Sequence, residues 1–163
     1  MKITPVTEAN RPIYLNLAQC YEAEFSKLTH KKPDTSGVFK LDTLLGNSIK
    51  GFILLIDEIP SAIAAIALKP DNSYEMCEFY VVPYFRKSGI GINFAHLLWK
   101  SHPGKWEIKQ IEGAEYATAF WRKAIRTFDN TVLEEDRYND PYWGFVTRQR
   151  FMIHPSQESN PRS

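Results

Sequence analysis

Apolar positions along the chain switch repeatedly between a period of two and a period of three to four, and each switch marks an element. Met1–Val6 (MKITPV) reads as a short first strand. Asn10 then offers a cap, and Tyr14, Leu17, Ala18, Tyr21, Phe25 and Leu28 recur at the spacing of an amphipathic helix. Thr29–Gly37 (THKKPDTSG) is loop by composition, and Phe39–Leu45 predicts a short second helix closed by Gly46. Ile49–Ile56 and Ser61–Leu68 read as a hairpin joined by DEIP, with Pro60 expected outside the ladder because it has no N–H to donate. Lys69–Ser73 is a turn and Tyr74–Val82 a third consecutive strand, so the sheet opens as an antiparallel meander. Ile90, Phe94, Leu97 and Leu98 share one helical face, which Ser101–Gly104 (SHPG) ends. Lys105–Ile111 is a short strand, parallel to Tyr74–Val82 by the crossover rule. Ala117, Phe120, Trp121, Ala124, Ile125 and Phe128 give the strongest helical period, and Asn130–Asp136 and Gly144–Ile153 predict two closing strands. The order β-α-α-β-β-β-α-β-α-β-β describes an α/β domain: a mixed sheet flanked by helices, antiparallel in its first half and parallel at one central pair.

Length and charge narrow the possibilities without choosing among them. The 163 residues suit a single domain, taken as 1–153, with a polar, proline-bearing tail over 154–163 that is expected to be disordered. A net charge of +1 announces neither nucleic acid nor an anionic membrane as partner. The most apolar region, Phe52–Leu68, is interrupted by Asp57, Glu58 and Pro60, short of the ~20 apolar residues that a membrane span needs. Without a signal-peptide core at its start, the chain is expected in the cytoplasm. Cys20 and Cys77 lie in apolar segments and read as buried free thiols. His30, His96, His102 and His154 lack metal-ligand spacing, so no metal is expected, and Ser36 and Ser88 lack a neighbouring base. A homodimer is the default by symmetry alone.

The informative stretch is Phe79–Trp99, FYVVPYFRKSGIGINFAHLLW, where a strand runs through a basic turn with two glycines into a helix. A helix opening straight after a strand presents unpaired N–H groups and the positive end of its dipole. Gly89 and Gly91 would leave that end open to an anion, and Arg86 and Lys87 add charge beside it. The dinucleotide pattern GxGxxG fails at Phe94, and no Gly-Lys-Ser/Thr completes a P-loop. Two readings remain: a main-chain cradle for pyrophosphate, or glycines that only ease a tight turn.

VVPYFRKSGIG resembles the acyl-CoA pyrophosphate motif of GNAT-type N-acetyltransferases, Val-x-Pro-x-x-Arg-x-x-Gly-x-Gly, and meets it at Val81, Pro83, Arg86, Gly89 and Gly91. AEYATAFWRKAI is similar to the family's second motif, and the resemblance is most specific from Glu78 to Phe128. The chain is especially like a small bacterial branch of predicted acetyltransferases. The resemblance implies a GNAT-like fold in which acetyl-CoA, the co-substrate, enters where the Tyr74–Val82 and Lys105–Ile111 strands splay apart. Main-chain groups of Val81 and Val82 would pair with the pantetheine arm. The turn Arg86, Lys87, Ser88, Gly89, Ile90 and Gly91 would hold the pyrophosphate, and Phe120 and Trp121 would pack near the thioester.

Acetyl transfer to an amine gains from a base, since most amines are protonated at neutral pH. Glu78 is the first candidate, placed by strand alternation on one face with Met76 and Tyr80; the alternative is a solvated sheet position. Glu22 and Glu24 could instead line the acceptor cleft. The family's usual acid is a Tyr where this chain has Trp121, so Tyr116 is the candidate substitute, with Tyr138 and Tyr142 weaker ones and water the remaining source. Ala114 stands where relatives often carry Asn, and Ala124-Ile125 replaces a common Gly-Phe. Tyr138, Tyr142 and Trp143 would either cover an acceptor pocket or edge the core. Three functions stay open: an N-acetyltransferase acting on a small-molecule or peptide amine, a non-catalytic acyl-CoA-binding module, and an interaction protein gripping a phosphate.

Overall fold

The computed structural model describes residues 1–129 and 131–156; Asn130, where a strand was expected to start, and 157–163 of the expected tail lie outside them. Strand β1 (Lys2–Pro5) leads into helix α1 (Arg11–Thr29), and β2 (Ile49–Ile56), β3 (Ile59–Leu68) and β4 (Tyr74–Val81) follow as an antiparallel meander. A single 3-10 turn (Pro83–Phe85) connects β4 to helix α2 (Ile90–Ser101). Strand β5 (Gly104–Ile111), helix α3 (Glu115–Arg126), β6 (Glu134–Asp140) and β7 (Gly144–Ile153) complete the chain. The described strands form one sheet in the order β1-β2-β3-β4-β5-β7-β6, antiparallel at every contact but β4–β5.

The two faces of the sheet bury different things. Helices α2 and α3 cover one face through Phe94, Leu98, Trp99, Trp121 and Ile125, packed on Leu54, Met76, Trp106 and Phe151. Helix α1 covers the other with Tyr14 and Ala18 against Ile53, Ile63, Ala65 and Tyr80. Among the described residues, no helix is long and apolar enough to cross a membrane.

Several expectations are corrected. Phe39–Leu45 is not a helix. Its backbone is held extended by α1 side chains: the Gln19 amide bonds both N–H and C=O of Phe39, and Glu22 accepts the N–H of Asp42 at 3.1 Å. The hairpin turn is Asp57-Glu58 alone, both residues left-handed, and Pro60 lies inside β3 opposite Leu55. A register shift at Leu54/Leu55 absorbs the missing donor. The strand expected over Asn130–Asp136 begins only at Glu134 and continues to Asp140, its register set by pairing with β7 and by the Asp136–Arg148 ion pair. Leu97 is 39% exposed; the buried face of α2 is Phe94, Ala95, Leu98 and Trp99. Cys20 is exposed rather than buried, and Cys77 is half-buried. Asn10 occupies the N-cap position, but its side chain bonds backward to Thr7 N–H and Pro5 C=O.

Candidate active site

Strands β4 and β5 pair over only three positions, Tyr74–Trp106, Glu75–Glu107 and Met76–Ile108, before they separate. The cause lies one residue further on. Ala65 of β3 faces Glu78 while Ile66 faces Met76, so Cys77 is an extra residue in β4, a β-bulge that bends the strand away from its neighbour. The bulge also reverses the alternation. Glu78 therefore joins Tyr80 on the α1 face, and Met76, which simple alternation put beside it, faces α2 and α3.

The splay leaves a cleft of about 150 Å³. Cys77 and Phe79 form its β4 wall, Gln110 and Ile111 its β5 wall, and Ala114, Ala117 and Trp121 of α3 close one side. Tyr21, Glu22 and Phe25 of α1, with Asp42 and Trp143, line the opposite side. The Val82 N–H is taken by Ser61 C=O of β3 at 2.9 Å, so it is not free for an added strand. Strand alternation turns the main-chain groups of Phe79 and the N–H of Val81 toward the opening instead, while Val81 C=O is taken by Arg86.

At the α2 end the turn leaves its backbone donors open. Lys87 (φ 64°) and Gly89 (φ 80°) are both left-handed, which curls the backbone inward. The N-cap, Gly89, offers no side-chain cap, and the first turn of α2 carries no acidic residue. The amides of Lys87 to Ile92 find no acceptor among the described residues. The glycines serve different ends. A Cβ on Gly89 would point into open space, so Gly89 supplies its conformation and a clear approach. A Cβ on Gly91 would come within 3.2 Å of the Phe120 ring, so Gly91 lets α2 pack against α3. Ser88 Oγ donates to Phe85 C=O at 2.9 Å, and Ile90 packs on the core below.

Arg86 is placed otherwise than expected. Its amide donates to Pro83 C=O, its Nε donates to Val81 C=O at 2.8 Å, and its two terminal nitrogens hold both oxygens of Glu24 at 2.7 and 2.9 Å. Glu24, considered for the acceptor cleft, is thereby accounted for. Glu22 does line the cleft, but it is an anchored carboxylate: Lys31 Nζ reaches it and Asp42 at 2.6 Å each.

Glu78 is 2% exposed and lies behind the cleft wall rather than in it. Its Oε2 accepts from the Tyr14 hydroxyl at 2.7 Å, and its Oε1 has no partner. Burial, opposed by the Tyr14 hydrogen bond and aided by the nearby Glu22 charge, pushes its carboxyl up to about 7. Tyr21, on the cleft surface, is pushed up first by burial and then by Glu78. Burial followed by the Glu75 charge pushes the Cys77 thiol up to about 12, which leaves it protonated.

Trp121 is buried in the cleft wall, its ring edge-on to Phe79 at 4.8 Å and to Phe120 at 4.9 Å. Tyr116 is 75% exposed and projects from α3 into solvent, outside the cleft lining. Tyr138 donates to Asp140 and lies under Arg148, Tyr142 is exposed, and only Trp143 of that cluster reaches the cleft. Sequence reasoning missed Tyr14, Asp42 and the role of the Cys77 bulge. A signal existed for one of them, since Tyr14, Ala18, Glu22 and Phe25 fall on one helical face that ought to be apolar throughout.

No protein-family model matches the chain, and no curated protein matches it in sequence. Solved structures do resemble it. A protein from Bacteroides thetaiotaomicron assigned to the GNAT acetyltransferases superposes with a TM-score of 0.63 at 14% identity, covering 98% of this chain and 89% of that one. The Escherichia coli ribosomal-protein-S18-alanine N-acetyltransferase gives 0.57 at 12% identity, over 98% and 97%. A mutant of the Vibrio cholerae spermidine N-acetyltransferase gives 0.60 at 10% identity, over 93% and 95%. The chain has the GNAT acetyltransferase fold.

Proposed function

From that fold and this cleft, we propose that the protein is an acetyl-CoA-dependent N-acetyltransferase that passes the acetyl group directly to an amine. The observation that carries the reading is the continuity of a splayed parallel strand pair with an uncapped helix N-terminus. One presents main-chain groups for a pantetheine arm, and the other presents the amides of Lys87 to Ile92 for a pyrophosphate. Trp121 and Phe120 give the thioester end an apolar wall.

Holding thioester and amine together supplies much of the rate. Because Glu78 lies behind the cleft wall, it takes the proton that the acceptor ammonium must lose through an intervening water, at Oε1, since Tyr14 occupies Oε2. A carboxyl near 7 is half ionised at neutral pH, where a base works best. Amine nitrogen then attacks the carbonyl carbon, the C–S bond breaks, and the second proton that nitrogen must lose passes through water to the departing thiolate. Trp121 has no acidic proton to give, and Tyr116 points outward. The acceptor enters from the α1 side, between Phe25 and Trp143.

Calorimetric titration with acetyl-CoA tests the proposal, with inorganic phosphate and NAD as controls. One saturable site specific for CoA, followed by CoA release in an amine panel, is the expected outcome. Binding without CoA release from any amine would instead support a non-catalytic acyl-CoA-binding module, and equal affinity for phosphate would reduce the turn to an anion site.

A further inference from the structure

Arg86 occupies the position in the turn where a cation would be expected to face pyrophosphate, yet each of its nitrogens is engaged elsewhere. Its amide is bonded to Pro83, its Nε to Val81, and its guanidinium fork to Glu24 of α1, 62 residues away in sequence. The guanidinium also lies over the Tyr80 ring, 5.4 Å from its centroid. A bidentate pair of this kind fixes geometry as well as charge, and aromatic stacking holds the plane of the fork. The three contacts join the end of β4, the helix on the acceptor side and the cofactor turn into one unit. Lys87, by contrast, forms no ion pair among the described residues.

We propose that Arg86 is a positioning residue that clips α1 to the end of β4, so that occupation of the cofactor turn is felt by the acceptor wall, and that Lys87 and the main-chain amides hold the pyrophosphate without the Arg86 side chain. This rests on the cleft being an acetyl-CoA site. The clip has a mechanical consequence. Val81 lies two residues past Phe79 of the cleft wall, and the guanidinium that fixes its C=O reaches Glu24, two residues past Glu22 and one before Phe25 on the acceptor wall. A cofactor that settles against β4 therefore stiffens α1 through a single side chain. The Tyr14–Glu78 bond, one side chain from the cleft, moves with the same helix.

The test compares wild type with Glu24→Gln, Arg86→Gln, the double variant and Lys87→Gln, by CoA titration at several salt concentrations and by amide hydrogen exchange with and without CoA. In wild type, CoA should protect both the turn and the C-terminal half of α1. In Glu24→Gln the affinity should stay within about threefold, the scale of one exposed ion pair, with the turn still protected and the α1 protection lost. Glu24→Gln and Arg86→Gln should both speed exchange in α1, and the double variant should speed it no more than Arg86→Gln alone, because Glu24 has no contact left to lose once Arg86 is gone. Lys87→Gln alone should flatten the salt dependence of binding. Tighter CoA binding by Glu24→Gln, or a flattened salt dependence in Arg86→Gln, would mean that the guanidinium swings onto phosphate, and would overturn the clip. α1 protection retained in Glu24→Gln would overturn the coupling while leaving the cofactor site intact. A wild type that binds no CoA would remove the cleft assignment itself.

Discussion

Glu22 and Glu78 face each other from α1 and β4, equally buried at 1% and 2% exposure, yet their surroundings differ in kind. Glu22 has a lysine at 2.6 Å on one oxygen and the Asp42 N–H on the other, so its charge is compensated and both oxygens are used. Glu78 has one phenol and one bare oxygen. A buried carboxylate with its partners supplied serves the architecture: here it ties α1 to the extended segment 39–45 and shapes the acceptor wall. One left half-satisfied holds its proton to about 7, the state that the proposed reaction would use. Burial alone does not distinguish the two. The inventory of partners does.

The comparison breaks most decisively at Glu78 itself. Glu78→Gln keeps an acceptor for Tyr14 and removes the base, so turnover should fall on the order of 100-fold or more with acetyl-CoA binding unchanged. Stability should move the opposite way. Because the folded carboxyl titrates above its unfolded value of 4.5, the unfolded chain releases its proton first as pH rises. Wild type therefore loses stability between about 4.5 and 7 and levels off above, by at most ~3 kcal/mol. Gln at this position has no such loss, and the difference in melting temperature between variant and wild type should widen over that window. A flat difference would place Glu78 in a more solvated setting than the fold gives it.

Glu22→Gln is the complementary case. It removes a charge that Lys31 is using, although Lys31 keeps Asp42, so a cost of about 1–3 kcal/mol in denaturant unfolding is expected, with the pH of half-maximal rate moved only slightly downward as the Glu22 charge no longer raises Glu78. A shift of the rate profile without loss of stability would reverse the roles assigned to the two carboxylates.

Much of this was legible in the residues, but not the contrast between the carboxylates. The succession of strands along the chain and the parallel pair follow from period and crossover chirality, and the open turn ahead of α2 from its glycines and its place between strand and helix. What escaped were features decided by contacts distant in sequence. The segment 39–45 has a helical pattern but is claimed by Gln19 and Glu22 of α1, which offer its backbone better partners than its own turns. Arg86 reads as a phosphate cation until Glu24 is brought beside it by folding. The bulge at Cys77 leaves no mark that alternation can detect, and it alone decides which face Glu78 takes. The same holds for Tyr14, which sequence assigns simply to the buried face of a helix.

That tyrosine gives the smallest and most diagnostic effect. Its hydroxyl is the strongest of the groups that stabilise the ionised form of Glu78, ahead of Thr43, since the bond lowers the carboxyl pKa against the larger upward push of burial. Tyr14→Phe conserves the ring packed against Ile53 and Ala65 and deletes only the donor. Fold and cofactor binding should persist, at a cost of about 1 kcal/mol for the lost hydrogen bond. With the Tyr14 donor gone, Glu78 should hold its proton to higher pH, so the acidic limb of kcat/KM should move upward while the rate well above that limb changes little. The sign is what matters. A downward shift would mean that Tyr14 donates to the neutral acid instead, and an unmoved limb would mean that the group titrating in the rate is not Glu78.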